Sequence, residues 1–256
     1  AWRPRFLCRA RHEILAKKYG TGGVGLRGAG DGFGGDEKKL PDGKNVGQGS
    51  WEDVDRIWAA SGEDPWSTYR YAGTAAQLAE ALALTGAKDP DGVDWAKEAV
   101  ESYAWAQKNT KSGDDGLQEP KLRQPRAYAA AALFRLTGDS AYEKQFTQDT
   151  DFIQETTLLW DEDRYGPFVY ALGGRAQGSP ALMSRIRAAT LFTADEAAVA
   201  TPQKRALRWG GNFFMPMLIG QQTTPWLLEG AVGYTLTKAS DPARAQKYLA
   251  SLYTTS

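Results

Sequence analysis

Residues 125–146 read PRAYAAAALFRLTGDSAYEKQF. The stretch predicts a helix, a tight reversal and a second helix. Tyr128, Ala131, Ala132 and Arg135 share one side at helical spacing, and Ala127, Ala130 and Phe134 share the neighbouring side. Pro125 suits a first-turn position, where its missing N–H leaves no bond unmade. Thr137-Gly138 ends the first helix, because glycine accepts the left-handed conformation that a C-terminal cap needs. Ser140 and Glu143 have the S-x-x-E spacing of a capping box for the second helix. That helix carries Tyr142 and Phe146 four residues apart, on one face.

The same grammar recurs along the chain. Residues 74–106 read TAAQLAEALALTG, AKDPDGVD and WAKEAVESYAWA in succession, and residues 227–253 read LLEGAVGYTLTK, ASDP and ARAQKYLASLY. YALGGRAQGSPALMSRIRAATLF (170–192) is a looser copy. In each, an alanine-rich helix stops at Gly or Lys, and an acidic or Ser-Pro turn starts the next. Ser179-Pro180 and Asp241-Pro242 pair a capping residue with proline at the first helical position. The reversals fall near 86, 138, 174 and 238, a mean spacing of about fifty residues. One helical hairpin cannot bury its own apolar face, so a repeating hairpin implies a solenoid or a closed ring.

Composition narrows the function. The chain has 256 residues, enough for one large core or two domains. Its 31 Lys and Arg balance 31 Asp and Glu, which argues against nucleic acid or an anionic membrane as the main partner. No apolar run approaches the roughly 20 residues a bilayer span needs. Arg3, Arg5, Arg9 and Arg11 interrupt any secretory h-region, although a cleaved signal would leave no trace. The one cysteine, Cys8, excludes an internal disulfide and a cysteine-based zinc site, and the one histidine, His12, excludes a multi-histidine metal centre. His12 reads as an early-helix residue beside Glu13. Nine Trp and eleven Tyr stand out. In an alanine-rich helical protein, aromatics serve as core or as platforms for a flat apolar ligand face.

Taken in order, residues 1–19 read as the end of a helix with no evident cap, so the natural start is expected upstream. Residues 20–50 hold twelve of the 28 glycines and form a long irregular loop. Its centre, GAGDGFGGDE (28–37), lacks the G-K-[ST] of a phosphate loop, and no strand precedes it. Asp31, Asp36 and Glu37 carry the oxygen donors that a structural calcium uses, but EF-hand spacing is absent, and no cofactor is called for. Residues 51–71, WEDVDRIWAASGEDPWSTYRY, concentrate aromatics before and into a helix that Ser67 or Thr68 can cap. Aromatics just before a helix start favour ligand contact, which singles out Trp51 and Trp66. Trp95 and Trp105, inside a helix, read as core. The acidic run Asp161, Glu162, Asp163 reads as a solvated corner, with paired-carboxylate chemistry the sharper alternative. Pro216 kinks or ends an apolar helix in RWGGNFFMPMLIG (208–220).

Four segments, in order, resemble glycoside hydrolase family 9, the bacterial cellulases. DPWSTYRYAGTAAQLAEALAL resembles that family's alanine-rich helix entered from an aromatic loop. RAYAAAALFRLTGDSAYEKQF resembles its fifth-to-sixth-helix segment, RWGGNFFMPMLIG its R-W-G-x-N helix, and DPARAQKYLASLY the helix leading to its second catalytic motif. The likeness spans roughly residues 10–253. It implies an all-α fold, an (α/α)6 barrel of six helical hairpins. It also implies hydrolysis of β-1,4-glucan chains with inversion, by an acid on one side of the glycosidic bond and a base-held water on the other.

This sequence departs from the family in its catalytic segments. The D-A-G-D-Y-G, P-H-H-R-like and D-x-x-x-N-E segments are absent. Ala29-Gly30-Asp31 looks like the first but follows the His12–Tyr19 helix, whereas the family's aspartates precede it, so Asp31 reads as a decoy for the base. Residues 1–256 are therefore expected to be one partial catalytic domain, an incomplete ring that supplies cleft walls. By the resemblance, Trp51, Trp66, Tyr69 and Tyr128 stack on glucosyl rings. A β-glucan chain is then the partner, the full-length protein a monomer, and its location secreted or periplasmic. An isolated partial ring is expected to be marginally stable or to associate. Two alternatives stand beside this reading: another (α/α)6 enzyme, such as a lyase or epimerase, or a non-catalytic helical-repeat binding module.

Overall fold

The computed structural model describes residues 65–110, 122–174, 177–200 and 225–255. Every regular element among these residues is helical. The elements are α1 (Pro65–Thr85), α2 (Trp95–Asn109), α3 (Arg123–Thr137), α4 (Ser140–Asp149), a 3-10 turn (Asp161–Arg164), α5 (Tyr165–Ala171), α6 (Pro180–Ala194), a π turn (Asp195–Ala200), α7 (Pro225–Thr237) and α8 (Pro242–Thr255). Four helices begin with proline, whose fixed φ suits the first helical position. Gly86, Gly138 and Gly173 follow α1, α3 and α5 at φ of 68°, 75° and 69°, where a Cβ would strain the backbone. The reversals therefore lie where the sequence places them.

Consecutive helices pair as hairpins, α1 with α2, α3 with α4, α5 with α6 and α7 with α8. The hairpins then pack side by side: α1 lies on α3, α3 on α5, and α6 on α7. Helix α3 is the centre. Pro125, Ala127 and the run Ala129–Phe134 are all buried, so the helix is covered on nearly all sides. Its small side chains let neighbouring backbones approach: a Cβ on Gly166 of α5 would lie 3.1 Å from the Ala127 carbonyl carbon. Helix α1 buries Tyr69, Ala72, Gly73, Ala75 and Ala76, one side of a half-covered helix.

Aromatic rings and buried ion pairs fill the space between hairpins. Tyr69, Tyr103 and Tyr142 meet edge to face in series, with centroids 5.3 and 5.1 Å apart. Phe146 stacks on Tyr170 at 4.6 Å. Arg126 grips the buried Asp149 through two bonds of 2.9 and 2.7 Å, which fixes α3 against the end of α4. At the far side of the chain, Asp195 accepts from Tyr248 at 2.6 Å and pairs with Arg244, so α8 is held to the π turn.

Several local expectations change. The second helix of the central hairpin is capped by Asp139, whose carboxylate accepts the Ala141 N–H at 2.9 Å. Ser140 is the first helical residue, and Glu143 turns away to accept from the Ser179 N–H at 2.7 Å and from the Tyr170 hydroxyl. The S-x-x-E spacing therefore does not form a capping box here. Ser67 and Thr68 lie inside α1, which starts at Pro65, so neither caps it. Of the two capping residues paired with proline, Asp241 caps α8, accepting from the Arg244 N–H at 3.0 Å, whereas the Ser179 side chain makes no cap bond to α6; Asp94 caps α2 through the Lys97 N–H at 3.0 Å. Trp95 and Trp105 pack half-buried against the core, and the Trp95 indole donates to Asp89 at 2.7 Å. No helix among the described residues is long and apolar enough to cross a membrane.

Candidate functional site

The 3-10 turn brings the starts of four helices to one end of the molecule. Three consecutive residues in it each pair with a different helix. Glu162 pairs with Arg70 in the first two turns of α1. Asp163 pairs with Arg123, the first residue of α3, at 3.2 Å. Arg164 lies 3.3 Å from Glu229 near the start of α7. The turn itself runs directly into α5. The acidic run is thus no solvated corner: Glu162 and Asp163 are partly buried and held by guanidinium groups. Carboxylates engaged in this way are structural anchors.

Aromatic side chains line the same end. Trp66 is half-buried, and the Arg70 guanidinium lies 4.0 Å above its ring. Tyr128 is half-buried on α3 and fits a notch in α1 made by Gly73, where a Cβ would meet the ring at 2.4 Å. Its hydroxyl accepts from the Gln77 side-chain amide at 2.8 Å. Burial pushes the Tyr128 phenol up from its ordinary pKa, so it remains neutral. Tyr165 meets Tyr128 edge to face at 6.3 Å, and its hydroxyl accepts from Arg164 at 3.2 Å.

The sequence-based candidates divide accordingly. Trp66 and Tyr128 come to the same end of the helices. Tyr69 is 1 % exposed and packs on Tyr103 in the core, so its ring offers no open face for stacking. Trp51, Asp31 and the acidic loop residues Asp36 and Glu37 lie outside the described residues. Tyr165, Arg164 and Glu229 carry no local signal, and the acidic run marks Glu162 and Asp163 without naming their partners. Their partners lie tens of residues away, and WDEDRY alone does not say which charges are paired.

Glu229 is the unusual group. Its side chain is 0 % exposed, and neither carboxyl oxygen has a hydrogen-bond partner. Burial pushes its pKa up to about 7, against the opposing pull of Arg164. An open depression of about 740 Å³ lies elsewhere, between Gly173, Gly174, Gln177 and Gly178 and the Met183, Arg187 and Leu191 face of α6. Its lining has no carboxylate and no aromatic ring, so the polar and aromatic end is the candidate site.

No family model and no curated protein matches the sequence. Solved structures do. The chain is similar to a glycoside hydrolase family 9 endoglucanase, J30, with a TM-score of 0.51 and 20% identity, over 75% of this chain and 36% of that one. It is similar to AaCel9A, solved in complex with a cellobiose-like isofagomine, with a TM-score of 0.58, 21% identity and coverage of 78% and 39%. A single-mutant thermostable endoglucanase from Alicyclobacillus acidocaldarius gives 0.53, 22%, 77% and 40%. The chain therefore spans well under half the length of the structures it matches. Its fold is that of the family 9 endoglucanases, the (α/α)6 barrel of helical hairpins, of which the described residues form an incomplete ring.

Proposed function

We propose that this chain is part of a glycoside hydrolase that cleaves β-1,4-glucan by inversion, and that residues 1–256 belong to one partial catalytic domain. The observation that supports this reading is the aromatic end formed by Trp66, Tyr128 and Tyr165, set where α1, α3, α5 and α7 begin. Glucosyl rings present apolar C–H faces to aromatic surfaces and hydroxyls to the polar groups around them. Gln77, Arg70 and Glu162 supply such polar groups beside the rings. Inversion needs an acid and a base several ångströms apart on opposite faces of the sugar. The D-A-G-D-Y-G and D-x-x-x-N-E segments are absent from this sequence, and Glu162, Asp163 and Glu229 are held by arginines. The share of this chain in the reaction is therefore cleft wall. A glucan polymer lies outside the cell, so the protein acting on it is secreted or periplasmic, and a monomer suffices for a cleft within one ring.

The test is calorimetric titration of the chain with cellohexaose. Trp66→Ala and Tyr128→Ala should each weaken binding about tenfold, the size of one lost aromatic contact of about 1.4 kcal/mol. Binding unchanged in both variants sinks the assignment of these rings.

A further inference from the structure

The buried carboxyl of Glu229 has no part in the stacking just described, yet it is joined to the rings by an unbroken chain of contacts. Glu229 lies 3.3 Å from the Arg164 guanidinium. Arg164 donates to the Tyr165 hydroxyl at 3.2 Å and lies 5.1 Å from that ring's centroid. Tyr165 meets Tyr128 edge to face at 6.3 Å, and Gln77 holds the Tyr128 hydroxyl from the other side. We infer that Glu229 is a positioning residue for the aromatic rim: its charge holds Arg164, and Arg164 sets Tyr165 against Tyr128, so that ligand affinity follows the protonation of one buried carboxyl. The inference rests on the glucan-binding reading of the rim for its ligand, but not for the coupling itself.

The surroundings make Arg164 the controlling partner. Glu229 sits on α7, against which α6, the π turn and α8 pack. Asp195 of the π turn is engaged by Arg244 and Tyr248 of α8. Arg187 of α6 donates to the Ala171 carbonyl, and Arg185 to that of Asp151. Arg164 is the only charged side chain that the described residues bring against Glu229. A buried carboxyl with one cationic partner takes up a proton readily, because the neutral form is the one burial favours. Protonation removes the attraction on Arg164 and frees the guanidinium that fixes Tyr165.

The experiment follows cellohexaose affinity and the NMR signals of ¹³C-labelled tyrosine between about pH 5.5 and 8, above the ordinary range of exposed carboxylates. The Tyr165 signal is assigned with Tyr165→Phe. In the wild type, affinity should fall about tenfold as pH drops across this window, and the Tyr165 signal should titrate with it. In Glu229→Gln both should be flat, with affinity at the low value. His12→Asn removes the only histidine in the chain and should leave the wild-type response in place. If Glu229→Gln does not fold, Tyr165→Phe cuts the Arg164 bond instead, and it should flatten the affinity profile. A titrating Tyr165 signal without cellohexaose binding would refute the glucan ligand while supporting the coupling. A Tyr165 signal that does not move with pH in the wild type, or a full affinity response retained in Glu229→Gln, overturns the inference.

Discussion

At the scale of single residues, glycine and alanine do as much as the rings they neighbour. Gly73 sits in the buried stripe of α1, and its missing side chain is the space that the Tyr128 ring occupies. Gly73→Ala raises helix propensity, and by propensity alone should help by about 1 kcal/mol. Here the new Cβ would fall 2.4 Å from the ring, so the ring must move or α1 must shift. Overpacking of this kind costs about 1–3 kcal/mol, and it displaces the tyrosine that packs between α1 and α3. The expected result is a lower melting temperature together with weaker oligosaccharide binding. A stabilised variant with unchanged binding would show that Tyr128 relaxes freely and that the notch has no role. Nothing in TAAQLAEALAL marks this role, because the ring that fills the notch comes from 55 residues further along. Tyr69 carries the opposite lesson. It shares the aromatic-rich stretch with Trp66, but three residues of helix turn it from the rim into the core. Sequence density of aromatics thus marks where rings gather, while helical phase decides which ring is open.

At the scale of elements, helix boundaries were more legible than helix caps. Gly138 stops α3 as its position after an alanine-rich run predicts, because few residues accept a φ of 75°. The start of α4 has three side chains able to cap within one turn, Asp139, Ser140 and Glu143, and spacing alone cannot rank them. The structure selects Asp139. The reason is tertiary: Glu143 is drawn off to the Ser179 N–H and the Tyr170 hydroxyl, where it joins α4 to the start of α6. Asp139→Ala should therefore cost about 1 kcal/mol, the usual loss of a capping carboxylate, while Ser140→Ala should change stability by less than about 0.5 kcal/mol. Equal losses in urea unfolding of the two variants would restore the capping-box reading. The same limit explains the acidic run before α5. Its carboxylates resemble a solvated corner until Arg70 and Arg123 arrive from α1 and α3 to pair with Glu162 and Asp163.

At the scale of the whole molecule, the aromatic core and the buried Glu229 give stability a definite dependence on pH. Burial pushes up the phenols of Tyr69, Tyr103, Tyr128, Tyr142, Tyr170 and Tyr248, and the Glu229 carboxyl to about 7. All are acids whose charged form is disfavoured in the fold, so at intermediate pH the unfolded chain has released protons that the native chain retains. Stability then falls as pH rises. For Glu229 the contribution is complete below its unfolded value of 4.5 and is lost by the time pH passes about 7. The difference amounts to about 3 kcal/mol, at 1.36 kcal/mol for each pH unit. For the phenols the loss begins near pH 10, their unfolded value, and continues above it. Denaturant unfolding across pH should therefore show two declining limbs, one between about 4.5 and 7 and one above about 10. Glu229→Gln should abolish the first and leave the second. The hairpin pattern foretold an all-helical packing of this kind, but it held no sign that the start of α7 buries a carboxyl, since LLEG reads as any amphipathic turn. A single limb above pH 10 in the wild type would mean that Glu229 is solvated in solution, and the Arg164 contact would then be a surface ion pair worth little to the fold.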